Sequence, residues 1–247
     1  MMSRYGNYFS TPPVVLNLLI INILFFMATA LLPEQASDTL INTLGLHFWR
    51  SSEFNYWQLL TYMFLHSNFT HLFMNMFALW MFGRTIESYW GGKRFLIYYL
   101  VTAIGAGLIQ EAVYSVRIYQ IVSQLSPELV DIVKNEGLAI LQQSQNYTDK
   151  FMGSLNLLLN MPTVGASGGV FGILLAFGMM FPNALIYIYL LFPVKAKWLV
   201  VGYGVLELWL GIANRSGDNV AHFAHLGGMI FGFFLLLLWK KQGKIRY

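Results

Sequence analysis

Ser167 stands in the run Gly165-Ala166-Ser167-Gly168-Gly169, where neighbours with almost no side chain leave its hydroxyl open to close approach. Further along, Ala224-His225-Leu226-Gly227-Gly228 opens a second strongly apolar stretch. A serine and a histidine near the starts of two such stretches are poor lipid contacts. They point to a nucleophile and its base, the imidazole taking the hydroxyl proton as the oxygen attacks. His71 and Asn75, four apart in a third apolar stretch, share one face of a helix. They offer donors for the charge that develops on an attacked carbonyl oxygen. Each residue alone has a plainer reading: a serine bonding its own helix backbone, a histidine or asparagine joining neighbouring helices. Together they sit at one depth on three helices, and ionisable groups inside a membrane mark functional sites by default.

The elements that must position these groups are membrane helices. The chain has 247 residues, 57% hydrophobic and 11% charged, against roughly 25% charge in soluble domains. A span needs about 20 mostly apolar residues. Six candidates emerge, at about 14–32, 67–86, 94–113, 166–182, 197–213 and 220–239. The first lacks a small-residue cleavage site and reads as a span, not a signal peptide. At a rise of ~1.5 Å per residue, Ser167 to Phe181 covers about 21 Å of a ~30 Å hydrocarbon core, so Ser167 should lie roughly 10 Å below the outer surface. By the same arithmetic His225, counted from Asn219, lies about 9 Å down the sixth span.

Six spans put both termini on one side. Arg4, Arg84, Lys93, Arg94, Lys195, Lys197, Lys240, Lys241, Lys244 and Arg246 fall on that side, and Arg50, Arg117, Lys134, Lys150 and Arg215 on the other. The positive-inside rule makes the terminal side cytoplasmic. On the outer side, residues 33–66 read as a long loop rich in aromatics (Trp49, Phe54, Tyr56, Trp57). Residues 114–162 read as an insertion whose apolar positions, from Ile118 to Val133, approach helical spacing. Ser126-Pro127-Glu128 has the form of a helix start. Residues 183–194 are apolar but too short to cross and are assigned to the interface. Cysteine is absent, so disulfides and thiolate chemistry are excluded. No basic cluster with interleaved aromatics suggests nucleic acid.

The sequence resembles the rhomboid intramembrane serine proteases in their compact six-helix bacterial form. The resemblance is carried by His71-Leu-Phe-Met-Asn75, by Gly165-Ala166-Ser167-Gly168, and by Ala224-His225-x-x-Gly228-x-x-x-Gly232; Trp57 and Glu87 also fit. It covers all six spans. It implies an all-α, polytopic six-transmembrane-helix bundle, one membrane domain over residues 1–247, with an outer-side insertion between the third and fourth helices. It implies a Ser167–His225 dyad without an acid, and an oxyanion held by the His71 and Asn75 side chains and the Ser167 backbone N–H. It implies no cofactor and no metal. Transmembrane proteins would be the substrates and the lipid bilayer the setting, with a bacterial inner membrane as the location. The sequence leaves oligomeric state open.

His222, one turn before His225, competes for the role of base. Only His225 has glycines three and seven residues on, and Gly228 in particular lets the helices carrying the dyad approach closely. Gly165, Gly168 and Phe171 are the other supporting positions. The chain departs from the family pattern at three places. Phe171 stands where tyrosine is common; it can stack on the imidazole but carries no hydroxyl. Gln58 follows Trp57 where arginine is common, which puts the anchoring of that loop in question. The insertion is longer than the compact form requires. Competing readings are a catalytically dead rhomboid-like adaptor, a haem or metal protein using His66, His71, His222 and His225, and a transporter.

Overall fold

The computed structural model describes residues 11–188, 191–213 and 221–245. Arg4, Arg215, Asn219 and Arg246, used above for topology and depth, lie outside the described residues.

The chain is an all-α polytopic membrane protein with one short hairpin. Its helices are α1 (Pro13–Leu31), α2 (Glu34–Leu44), α3 (Gln58–Thr61, continued by a 3-10 turn Tyr62–Phe64), α4 (Phe69–Ala78), α5 (Arg84–Trp90), α6 (Gly92–Val122), α7 (Pro127–Gln142), α8 (Lys150–Asn160), α9 (Ser167–Met180), α10 (Ala196–Ala213) and α11 (His222–Lys241). Among the described residues, α1, α6, α10 and α11 are long and apolar enough to cross a bilayer. The other two expected spans correspond to α9, shorter but apolar, and to α4 and α5, which a π-helical turn at Leu79–Gly83 joins. The surface is unlike a soluble protein's: Leu24, Leu31, Val205 and Ile212 are exposed, while Asn22, Thr102, Gln110 and Glu207 are buried beside a mostly apolar core. Exposed apolar side chains suit a lipid surrounding, and Asn22 Nδ2, Thr102 Oγ1 and Glu207 find partners inside.

Three sequence expectations need correction, and one interfacial segment gains a form that its composition left open. The helix of the third span does not stop near 113; α6 runs on to Val122 and takes up the start of the insertion. The outer segment 33–66 is not simply a loop, because it folds α2 and α3. Within the segment assigned to the interface, β1 (Leu185–Ile188) pairs antiparallel with β2 (Phe192–Lys195), Leu185 opposite Lys195. Gln58 anchors its segment after all. Fully buried, it accepts from the His47 and Asn55 backbone N–H groups at 3.2 Å and donates to the Glu53 carbonyl at 2.9 Å. A neutral amide with donor and acceptor ends satisfies several backbone groups that loop geometry leaves open.

The scaffold of the site is α6, α9 and α11, packed on one another face to face. A Cβ at Gly228 would collide with the Gly168 carbonyl, and one at Gly168 with the Ala106 side chain. Hydrogen atoms at both positions let the three backbones approach to a distance no alanine allows. Tyr98 Oη donates to the Gly172 carbonyl at 2.9 Å and Tyr62 Oη to the Ala103 carbonyl at 2.7 Å, tying the same layer together. At the opposite end the Glu87 carboxylate accepts from the Val14 and Val15 N–H groups at 2.9 and 2.7 Å. An acid at the first turn of α1 satisfies donors that have no intrahelical acceptor and meets the positive end of the helix dipole.

Candidate active site

Three helix starts meet at one level. Ser167 is the first residue of α9, His225 lies in the first turn of α11, and His71 in the first turn of α4. Because α11 begins at His222, His225 sits about 5 Å along its helix at ~1.5 Å per residue. His225 Nε2 lies 2.7 Å from Ser167 Oγ, within hydrogen-bonding distance. The Phe171 ring stacks on the imidazole, centroids 4.3 Å apart and planes 6° from parallel, and Tyr203 meets Phe171 edge-on at 6.0 Å. The aromatic plate fixes the plane of the histidine ring without any hydroxyl.

His71 faces the same point. Gly165 adopts φ +134°, a conformation that side-chain-bearing residues rarely take. A Cβ there would lie 2.9 Å from His71 Nε2 and 3.7 Å from Ser167 Oγ, so the missing side chain marks where the two converge. Asn68 Nδ2 donates to Ser67 Oγ at 3.3 Å, and Ser67 Oγ is 3.2 Å from His71 Nδ1. When Ser67 gives its own proton to Nδ1, the ring proton stands on Nε2, aimed at the site. Asn68 also caps α4, its Oδ1 accepting from the His71 N–H at 2.8 Å. Asn75, one turn on, is buried, and its Nδ2 donates to the His71 carbonyl at 2.9 Å. The serine N–H at the first position of α9 belongs to the group of helix donors with no intrahelical acceptor.

His66 packs edge-on against His71 at 5.0 Å. It is buried with neither ring nitrogen hydrogen-bonded, and burial, with His71 beside it, pushes its pKa down to about 3. It is therefore a neutral wall of the site.

His222 points elsewhere: its Nδ1 is 2.6 Å from Glu207 Oε2. The same carboxylate oxygen lies 3.0 Å from His225 Nδ1, off the axis of a directed hydrogen bond. Glu207 was not among the residues singled out from the sequence, although it is the one acid in the apolar run 196–213. That isolation was the available signal. Ser67 and Asn68 were also missed, and only the cap position of Asn68 hinted at them. Glu207, His222 and His225 present three ligand-type atoms within 4.8 Å. A tetrahedral zinc holds its ligand atoms roughly 3.3 Å apart, and the 2.6 Å contact instead has the length of a short hydrogen bond between imidazole and carboxylate.

The fold and this layer define a polytopic α-helical membrane protein with a serine and a histidine paired between two helices. A family profile described as the rhomboid domain matches residues 53–242, and the chain belongs to the rhomboid family. It is 29% identical over 188 residues to Rhomboid protein 1, mitochondrial, of Saccharomyces cerevisiae, covering 74% of this chain and 43% of that one. It is 27% identical to Rhomboid protease GluP of Bacillus subtilis, over 72% of this chain and 25% of that one. With the Putative rhomboid protease YdcA of Bacillus subtilis the identity is 25%, over 91% of this chain and 94% of that protein. The chain thus spans less than half the length of the first two relatives and nearly all of the third. Family membership and relatives named as proteases support an intramembrane protease.

Proposed function

We propose that the protein is an intramembrane serine endopeptidase that cuts transmembrane proteins with Ser167 as nucleophile and His225 as base. The observation that carries this reading is the 2.7 Å approach of His225 Nε2 to Ser167 Oγ. In the proposed reaction Ser167 Oγ attacks the scissile carbonyl carbon while His225 Nε2 takes the hydroxyl proton. The new C–O bond leaves a negative oxygen, for which His71 Nε2–H, the second Asn75 amide proton and the Ser167 N–H are the donors. Collapse breaks the C–N bond, and His225 gives the proton to the departing amine. Water then attacks the acyl-enzyme, again with His225 as base, and restores the serine. Substrates would unwind near the outer surface, where the starts of α4, α9 and α11 meet.

The adaptor reading has no support in the side chains, since an inactive relative has no need of a serine hydrogen-bonded to a stacked histidine. We assign both termini to the cytoplasmic side on the distribution of basic residues, and the protein to a bacterial cell membrane on its resemblance to the compact six-helix bacterial form. Relatives named as mitochondrial and chloroplastic share the family. The test is cleavage of a transmembrane reporter in proteoliposomes. Ser167→Ala should abolish it in a folded protein, and cutting by that variant at a rate comparable to the parent would refute the reading.

A further inference from the structure

Glu207 is expensive where it stands. It lies on α10 amid apolar residues and is 7% exposed, so its carboxylate is nearly out of reach of water. A buried carboxylate persists only with partners. Both of its partners are histidines of α11, one of them the proposed base: Oε2 is 2.6 Å from His222 Nδ1 and 3.0 Å from His225 Nδ1. On the far side of the His225 ring, Nε2 meets Ser167 Oγ at 2.7 Å, and the Phe171 plate holds the ring plane. The order in space is therefore Ser167, His225, Glu207, His222.

We infer that Glu207 is a positioning residue for the reaction, a carboxylate that acts through His225 on Ser167. The inference rests on the serine protease reading above. A neutral His225 has one proton to place. A carboxylate 3.0 Å from Nδ1 favours that nitrogen, which leaves the Nε2 lone pair towards the serine. When Nε2 then takes the serine proton the ring becomes a cation, and the negative charge lies beside it at the moment of need. The carboxylate keeps its own ionisation throughout, and no proton has to reach it. The off-axis approach to His225, beside the directed bond to His222, makes the effect chiefly one of charge. His222 holds the carboxylate in place. The rival explanation is that Glu207 only pins α10 to α11.

The test compares the full-length parent with Glu207→Gln, Glu207→Asp and Ser167→Ala in proteoliposomes, measuring kcat, KM and thermal midpoint. Glutamine keeps the volume and a hydrogen-bonding oxygen but removes the charge. If Glu207 acts through His225, Glu207→Gln lowers kcat by about 10- to 10³-fold with KM within about twofold, and slows inactivation by a fluorophosphonate in parallel. Glu207→Asp, which keeps the charge further off, falls between parent and glutamine variant. A kcat at the parent's level in folded Glu207→Gln would overturn the inference. If the glutamine variant does not fold, Glu207→Asp decides: kcat reduced at least about fivefold with KM unchanged supports the role, and parental kcat overturns it. Cleavage by Ser167→Ala would instead sink the underlying reading, so the two failures are distinguishable.

Discussion

Ser67 contacts His71 Nδ1 at 3.2 Å, and with the hydroxyl as donor the ring's own proton stands on Nε2, the state in which His71 can serve the oxyanion. A donor of that kind works mainly when the carbonyl oxygen becomes negative, so its loss should show in kcat and leave KM little changed. His71→Ala is expected to lower kcat by about 10²–10³. Asn75→Ala should cost about tenfold or less, since the amide already gives one proton to the His71 carbonyl and the Ser167 N–H shares the load. Steady-state kinetics with thermal midpoints alongside will separate these effects from misfolding. A double variant as active as the parent would leave the oxyanion to backbone donors alone. His66 carries a different prediction. Its folded pKa of about 3, depressed by burial, lies below the ordinary 6.5, so between these values the unfolded chain binds a proton that the folded one refuses. Stability is then full above about pH 6.5 and declines as pH falls towards 3, by at most ~1.4 kcal/mol per pH unit. His47, also depressed by burial, contributes in the same direction. Thermal midpoints taken from neutral to acid pH should fall less steeply in His66→Phe than in the parent. Equal slopes would mean that His66 titrates normally. At this scale the sequence already carried much of the site. Ser167, His225, His71, Asn75 and Phe171 announce themselves by type and spacing, whereas the partners Ser67 and Asn68 depend on how a loop turns into α4, which no periodicity records.

Helices make the site by where they start. Ser167, His71 and His225 each occupy a first turn, where free N–H groups and the positive end of a helix dipole already favour negative charge. Their convergence depends on the crossing of α9 and α11 at Gly168 and Gly228. A Cβ at Gly228 meets the Gly168 backbone carbonyl, which cannot rotate away. Gly228→Ala should therefore destabilise the protein by about 1–3 kcal/mol and push His225 from Ser167, with activity near background. Parental activity and thermal midpoint would show that the crossing tolerates a methyl group. The insertion behaves as a separate unit. Val130, Val133 and Leu155 form their own small core with Ile118, Ile121 and Leu159, and connect to the site through the end of α6 and the Leu46–Thr163 pairing. Replacing residues 127–160 with a Gly/Ser linker should leave fluorophosphonate labelling of Ser167 in place and change the rate at which a transmembrane substrate is cut. Loss of labelling in a folded variant would mean the segment builds the site. Helix positions were legible from apolar runs, but their ends were not. Glycine-rich Gly91-Gly92 marks the start of α6, while the residues from Val113 to Val122 include Arg117 but no glycine or proline to stop a helix. The hairpin 185–195 has an apolar run that suits strand and interfacial segment alike, so composition alone left it undecided.

The whole molecule is a lipid-facing shell around a polar layer. Exposed Leu24, Leu31, Val205 and Ile212 need a bilayer, and the buried histidines and carboxylate need one another. The dyad is half-buried, His225 buried and Ser167 partly exposed, a setting that strengthens the 2.7 Å serine–histidine contact while leaving the serine within reach of substrate and water. The central claim is that this contact activates Ser167. It is tested most directly by treating the purified protein with a fluorophosphonate and mapping the adduct by peptide mass spectrometry, in the parent, Ser167→Ala and His225→Ala. The adduct should sit on Ser167 in the parent, vanish in Ser167→Ala and fall to near background in His225→Ala, with all three proteins folded. An adduct on another residue, or undiminished labelling of Ser167 without His225, would contradict the account.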